Sequence, residues 1–236
     1  MELEIIFEDD DLIAVNKPHG LFVHRTELDV YATAFALQVV RDMIGCRVYP
    51  VHRLDRKTSG VLLLAKSQII QSLMNEMFRN QQVDKTYLAI VRGYTDPSGI
   101  IDYPLLHENG KIQEAITHYS TLSYGEINIS SGRFPTSRYS LVLVRPKTGR
   151  MHQIRRHLSH IFHPIIGDRP HGCNKQNRFF LEHFDMNTMM LHADSIEFAH
   201  PTSHKKIKIK AQWHSEFERM LGILNLENPA TKINKE

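Results

Sequence analysis

The 236-residue chain lacks the features that mark several classes of protein. Its two cysteines, Cys46 and Cys173, have no CxxC partners and are too few for a disulfide framework. The longest purely apolar run, residues 61–65, is far shorter than the roughly 18 residues that a membrane helix needs. No signal-peptide pattern of a charged start followed by an apolar stretch is visible. These absences predict a soluble protein of a reducing compartment, which we expect to be the cytoplasm.

Acidic residues are absent from residues 127–167, which contain seven lysines and arginines. The formal charge of the whole chain is +3, so this segment contributes +7 and the rest of the chain −4. Six of the seven cations are arginines, and arginine favours bidentate recognition of phosphate or carboxylate. The segment is typical of a polyanion site such as one for nucleic acid. The alternative is a solvated face whose charges pair with acidic segments elsewhere in the chain.

Metal-binding signatures are missing as well. Four histidines, at positions 152, 157, 160 and 163, lie close together, but no HExxH motif and no cysteine pair accompanies them. The stretch also has no acidic ligands. We therefore expect neither a zinc nor an iron site there.

The hydrophobic pattern predicts an α+β fold with a mixed, largely antiparallel sheet. Strands are expected at residues 4–7, 12–16, 61–65, 87–91, 137–144, 189–198 and 207–211. Helices are expected at residues 32–44, after Ser67 as N-cap, and at residues 153–162. The unbroken apolar run 61–65 predicts a central strand. The strands do not alternate regularly with helices, so a doubly wound parallel sheet is not expected.

The segment 52–60 carries a single carboxylate, Asp55, flanked by His52, Arg53 and Arg56. Nearby cations favour the charged carboxylate and lower its pKa. Such a residue suits a nucleophile or a general base better than a general acid. The alternative is an aspartate that closes a loop by pairing with a neighbouring arginine. The sequence Thr-Ser-Gly at 58–60 predicts a tight turn.

A second segment, residues 146–157, reads as the end of a strand, a glycine turn and a helix start. Arg155 falls in the first turn of that helix, where the helix dipole disfavours a cation. A carboxylate partner or an anionic ligand is one explanation, and a tolerated surface arginine is the other. Tyr87, at the entry of a strand, would on its own be interpreted as a core aromatic residue.

Together these segments resemble the RluA family of pseudouridine synthases. The resemblance is carried by residues 52–60, by Lys85-x-Tyr87, by Thr-Gly-Arg-x-His-Gln-Ile-Arg at 148–155, and by 163–168. Residues 15–20, 23–24 and 190–193 also fit, so the motifs extend over about residues 5–215. The resemblance implies the pseudouridine synthase fold with a catalytic cleft. No linker divides the chain, so we expect one catalytic domain over 1–224 and a polar tail at 225–236. The family motifs begin almost at Met1, so no S4-type domain is expected.

The resemblance also implies the reaction, in which the N1–C1′ bond of a flipped-out uridine breaks and the uracil rejoins through C5. No cofactor and no metal are implied. Asp55 would be the essential carboxylate, Arg155 its ion-pair partner, and Tyr87 the residue that stacks on the base. Whether the carboxylate attacks the base, attacks C1′ or removes the 2′ proton stays open. The further substrate-binding residues implied are Arg53, in the space left by the base, Leu191, at the pocket floor, and His52, Arg56, Arg150 and His152.

Within the family, the chain is most similar to members that modify tRNA at uridine 65. Residues 115–119, 132–139 and 171–178 carry this similarity. The alternatives are a ribosomal-RNA or another tRNA uridine, an RNA-binding module without catalysis, and a metal-dependent hydrolase. We expect tRNA as the partner, a monomer, and no obligatory protein partner or membrane association.

Overall fold

Twelve strands and five helices form from residues 1–24 and 34–228, the part of the chain that the computed structural model describes. The strands are β1 Glu4–Glu8, β2 Leu12–Lys17, β3 Tyr49–Pro50, β4 Ser59–Ala65, β5 Asp84–Arg92, β6 Ser98–Asp102, β7 Leu105–Leu106, β8 Ile112–Gln113, β9 Ile116–Ile127, β10 Ser137–Pro146, β11 Leu191–Ala199 and β12 Lys206–Lys210. The helices are α1 Ala36–Ile44, α2 Gln68–Arg79, α3 Gln153–His160, α4 Asn174–Phe184 and α5 Ser215–Ile223. None of these helices is long and apolar enough to cross a membrane.

The chain divides into two compact units, and the first comprises Met1–Lys85 and His192–Gln212. Its strands run in the order β1-β2-β4-β11, with β12 on β11 and β3 on β4. All seven residues of β4 are buried, as their apolar character predicts for a central strand. The pairing of β11 with β4 is parallel, and the other pairings are antiparallel. Helix α2 begins after Ser67, whose hydroxyl accepts a hydrogen bond from the Ile70 amide, and buries Ile70 and Met74 in this unit's core.

The second unit comprises Thr86–Leu191 and Trp213–Glu236. Its strands β5, β10, β9 and β6 follow one another in that order, all antiparallel. The strands β7 and β8 form a separate short hairpin. Apolar side chains of β5, β10, α3, α4 and α5 fill one core, in which Tyr139 and Phe180 are among the largest buried groups. The predicted mixed, largely antiparallel α+β fold is confirmed.

Several elements differ from the sequence prediction. Strands β6 and β9 and helices α4 and α5 were not predicted, and α1 begins at Ala36, with residues 32 and 33 outside the described part of the chain. The described start of the segment predicted as a tail is packed. Leu226 is buried, and the Asn225 side chain donates to the Glu126 carbonyl. Residues 229–236 lie outside the described residues.

The tight turn predicted at 58–60 lies earlier in the chain. The Thr58 amide donates to the Asp55 carbonyl at 3.0 Å, so the turn runs from Asp55 to Thr58. Ser59 and Gly60 are the first residues of β4. Gly60 has φ +106°, and a Cβ there would stand 2.2 Å from the Ala193 carbonyl oxygen of β11. Glycine is therefore needed at this position for the close pairing of β4 with β11, and not for a turn.

Candidate active site

Asp55 lies half-buried in the loop between β3 and β4 of the first unit. Lys17, the last residue of β2, holds this loop in place. Its side chain has no exposed surface. Its Nζ donates to the carbonyls of Pro18, Leu21 and Arg56, at 3.0, 2.8 and 3.1 Å. Burial lowers the pKa of Lys17 to about 7, and the Asp55 carboxylate acts in the opposite direction. The buried Lys17 amino group thus fixes the main chain next to Asp55.

The cationic residues around Asp55 have different surroundings. The Arg56 guanidinium lies over the Phe22 ring, 4.7 Å from its centroid, and its Nε donates to the Gly20 carbonyl. Arg53 is exposed, and its substrate contact stays a prediction. His52 instead faces the protein. Its Nε2 accepts from the Leu63 amide at 2.9 Å and its ring stacks on Phe78 at 5.4 Å. These contacts give His52 a role in fixing the start of the loop on β4 and α2.

His52 makes stability depend on pH. Burial lowers its pKa from 6.5 to about 4, with the Lys85 charge adding to the effect. The neutral ring is therefore favoured in the folded state. Its contribution to the unfolding free energy is complete above pH 6.5 and is lost as the pH falls toward about 4. Over this pH range we expect the unfolding free energy of the wild type, measured in urea, to fall by about 2 to 3 kcal/mol more than that of His52→Gln. Parallel pH curves for the two proteins would contradict this assignment.

Tyr87 is on β5 of the second unit, paired in register with Val144 of β10. Its side chain is half-buried and packs against the core of this unit. Leu191, the first residue of β11, is buried in the same core. The substrate contacts expected of both residues stay predictions.

Arg155 forms a bidentate ion pair with Asp168, and sequence reasoning assigned no role to this carboxylate. Nε and Nη2 of the guanidinium each lie 2.8 Å from an Asp168 oxygen. Both side chains are buried. The Asn177 side chain binds the Asp168 carbonyl and the Gly167 amide, which fixes the acidic residue. A carboxylate thus supports the cation in the first turn of α3, one of the two explanations that its position suggested. Because Asp55 and Arg155 belong to different units, their ion pair stays a prediction.

Gln153 orders the turn that precedes Arg155, and it was also missed. Its Oε1 accepts from the Thr148 hydroxyl and the Arg150 amide, at 2.6 and 3.0 Å. Its Nε2 donates to the Ile116 carbonyl and the Thr117 hydroxyl of β9, both at 3.0 Å. The Arg150 Nε donates to the Glu114 carbonyl. The substrate-binding role expected of Arg150 stays a prediction.

His152, the residue before α3, pairs with a second imidazole. Its Nδ1 lies 2.9 Å from Nε2 of His171, and the two rings meet edge to face. Partial burial lowers the pKa of His171, and the nearby charge of Arg155 lowers it further. The His171 amide also approaches an oxygen of Asp168 at 3.4 Å. The second unit therefore carries the predicted residues Arg150, His152 and Arg155 on the turn and first residues of α3, and the first unit carries His52, Asp55 and Arg56 on the loop before β4.

No metal centre is apparent in residues 1–24 and 34–228, where no three histidine, cysteine, aspartate or glutamate side chains are arranged to hold an ion.

The chain has a fold shared with pseudouridine synthases. Residues 11–160 match the family model described as RNA pseudouridylate synthase, so the chain belongs to this family, as predicted. The human proteins named RNA pseudouridylate synthase domain containing 4 and 1 have similar folds, with TM-scores of 0.75 and 0.68. They are 24% and 22% identical to this chain; each alignment covers 96% of it, and 94% and 96% of the respective human chains.

Curated bacterial relatives named tRNA pseudouridine synthase C are more similar in sequence. The chain is 48% identical to the protein from Haemophilus ducreyi and 47% identical to that from Vibrio cholerae. These alignments cover 93% of this chain and 96% and 95% of the relatives. The relative from Pectobacterium carotovorum is 47% identical over 92% of this chain, and the chain spans 60% of that protein's length.

Proposed function

We propose that the protein isomerises uridine to pseudouridine in tRNA, at position 65, with Asp55 as the essential carboxylate. The observation that carries the proposal is the 44–48% identity to relatives named for this activity on tRNA, over more than nine-tenths of the chain. We also propose that it works as a monomer in the cytoplasm, without a protein partner.

The local structure around Asp55 supports the catalytic part of the proposal. The turn at Asp55 is closed by the hydrogen bond from the Thr58 amide to the Asp55 carbonyl, and the buried Nζ of Lys17 holds the Arg56 carbonyl beside it. A carboxylate on so fixed a loop is pre-organised for attack or for proton abstraction. The isomerisation needs no external reactant. The N1–C1′ bond breaks, a C5–C1′ bond forms, C5 loses its proton and N1 gains one. Attack on the base, attack on C1′ and removal of the 2′ proton all need the carboxylate ionised.

Pseudouridine mapping on an unmodified tRNA transcript tests the proposed function. The expected result is a new pseudouridine at position 65 after incubation with the protein. Pseudouridine that forms only at another tRNA position would reassign the target uridine. If it forms in ribosomal RNA and not in tRNA, the substrate proposal is wrong, and if it forms in neither, the catalytic proposal is wrong.

Tyr87 is proposed to stack on the flipped uracil. Tyr87→Phe keeps the ring face, so we expect tRNA affinity within about twofold of the wild type, whereas Tyr87→Ala should lose about tenfold or more. Affinities of both variants for a tRNA transcript check this, with Tyr124→Ala as an exposed control in the same unit. Equal losses for the phenylalanine and alanine variants would contradict stacking.

The basic segment 127–167 is proposed to follow the phosphate backbone. We expect tRNA affinity to fall steeply with salt, and the double variant Arg133→Gln/Arg145→Gln to reduce the slope of log affinity against log salt by about 1 to 2. Both arginines are exposed. The matched control is Lys206→Gln/Lys208→Gln in the first unit, where both lysines approach Glu197. A slope that is the same in both double variants would exclude these phosphate contacts.

A further inference from the structure

A cavity of about 380 Å³ lies in the second unit between the β7–β8 hairpin and the start of α3. We call it the histidine pocket, because His107, His152 and His171 line it. Two apolar side chains, Leu106 and Met151, also line it and are 57% and 43% exposed. A pocket of this volume is at the lower end of the range for small ligands, which matches a single nucleotide.

The imidazole pair in this pocket is held in place by unusual backbone. His152 has φ +54°, a left-handed conformation that is strained for a residue other than glycine. The residue after His171 is Gly172, where a Cβ would stand 1.9 Å from the Asp168 carbonyl oxygen. Only glycine therefore lets the chain bring His171 against both Asp168 and His152. Strain of this kind persists where surrounding structure imposes it, and it concentrates at binding and catalytic sites.

The opposite wall is fixed as well. Arg156 donates from Nη1 to the Leu106 carbonyl at 3.0 Å, and so attaches the hairpin to α3. Within the hairpin, the His107 amide donates to the Lys111 carbonyl and the Gly110 amide to the His107 carbonyl. The pocket is thus built from two braced elements.

The lining has the chemistry of a nucleotide site. A guanidinium and imidazoles supply hydrogen-bond donors for a phosphate, and the exposed Leu106 and Met151 offer an apolar surface for a sugar or base. One lining residue, Glu108, is acidic and disfavours an anion on its side of the pocket. Arg155 binds Asp168 through two of its nitrogens, and Asp168 also accepts from the His171 amide, so the pocket lies beside this ion pair and Arg155 does not line it.

We propose that the histidine pocket binds one nucleotide of the RNA substrate, with its phosphate at Arg156 and His171. This inference rests on the proposed function, because it takes the ligand to be the tRNA. The pocket then contributes to substrate affinity rather than to the chemical step.

Two variants test the pocket without removing a proposed catalytic residue. His171→Phe keeps a ring but removes both ring nitrogens, and Leu106→Trp fills the cavity from an exposed position. We expect each to weaken binding of a tRNA transcript and to raise KM about tenfold, while kcat changes less than threefold. The matched control is His183→Phe on α4, because His183 is exposed, packs on an aromatic ring and does not line the pocket.

The outcomes separate this inference from the proposed function. If wild-type protein modifies tRNA while His171→Phe and Leu106→Trp match the His183→Phe control in affinity and KM, the pocket assignment is overturned. A loss confined to kcat would also overturn it, since it would place His171 in the chemistry. Wild-type protein that forms no pseudouridine in tRNA contradicts the proposed function itself, whatever the variants bind.

Discussion

Asp55→Asn is expected to lower single-turnover pseudouridine formation by about 10⁴-fold or more, as removal of an essential nucleophile or base does in other enzymes. Asparagine has the shape of aspartate but no charge, and the routes considered for the isomerisation need an ionised carboxylate. The variant should remain folded, because the turn is closed by the Thr58 amide on the Asp55 carbonyl. Lys17 holds the loop through main-chain carbonyls rather than through the carboxylate alone.

The measurement is pseudouridine formed in a tRNA transcript with excess enzyme, together with thermal unfolding of the same preparations. Asp10→Asn is the matched control, because it makes the same chemical change at an exposed position of the first unit. A folded Asp55→Asn protein with turnover within tenfold of this control would exclude the catalytic role. An Asp55→Asn protein that does not fold would show that the carboxylate is mainly structural.

Strands β4 and β9 show which patterns of side chains can be predicted from the sequence. Strand β4 was predicted correctly because its apolar residues are continuous. Strand β9 was missed because some of its inward positions are polar. Thr117 has no exposed surface, and its hydroxyl accepts from the buried side chain of Gln153. A pattern of apolar alternation cannot show a strand whose interior contacts are hydrogen bonds.

The candidate site was predictable as a set of residues but not as a set of contacts. The helix dipole argument gave a carboxylate or an anion as one of two explanations for Arg155, yet nothing in the spacing pointed to Asp168, thirteen residues later in the chain. The pairing depends on a turn after α3, in which Gly167 has φ +80° and a Cβ would stand 2.0 Å from the Thr188 carbonyl oxygen. The hydrogen bond that His52 accepts from the Leu63 amide was not predicted either, and its substrate contact stays a prediction.

Asp168→Asn is the second substitution with a large expected effect. The Asp168 carboxylate neutralises Arg155 in an environment where both side chains are almost fully buried. Removing one charge of a buried pair typically costs about 3 to 5 kcal/mol, because the remaining charge stays desolvated. We therefore expect the unfolding free energy to fall by about this amount, and pseudouridine formation to fall with it at temperatures where the variant is still folded. The main-chain carbonyl that Asn177 binds is unchanged in this variant.

Glu216→Gln gives the matched control for the ion pair. Glu216 also binds an arginine through two oxygens, with both distances to Arg219 at 2.7 Å, but this pair lies at the surface of α5. Solvent screens exposed pairs, so Glu216→Gln should lose far less unfolding free energy than Asp168→Asn. Denaturant unfolding of the wild type, Asp168→Asn and Glu216→Gln measures the two losses of unfolding free energy. If the two variants lose equal stability, burial does not set the strength of the Arg155–Asp168 pair. If Asp168→Asn is destabilised but fully active when folded, the aspartate supports the fold and does not position Arg155 for the reaction.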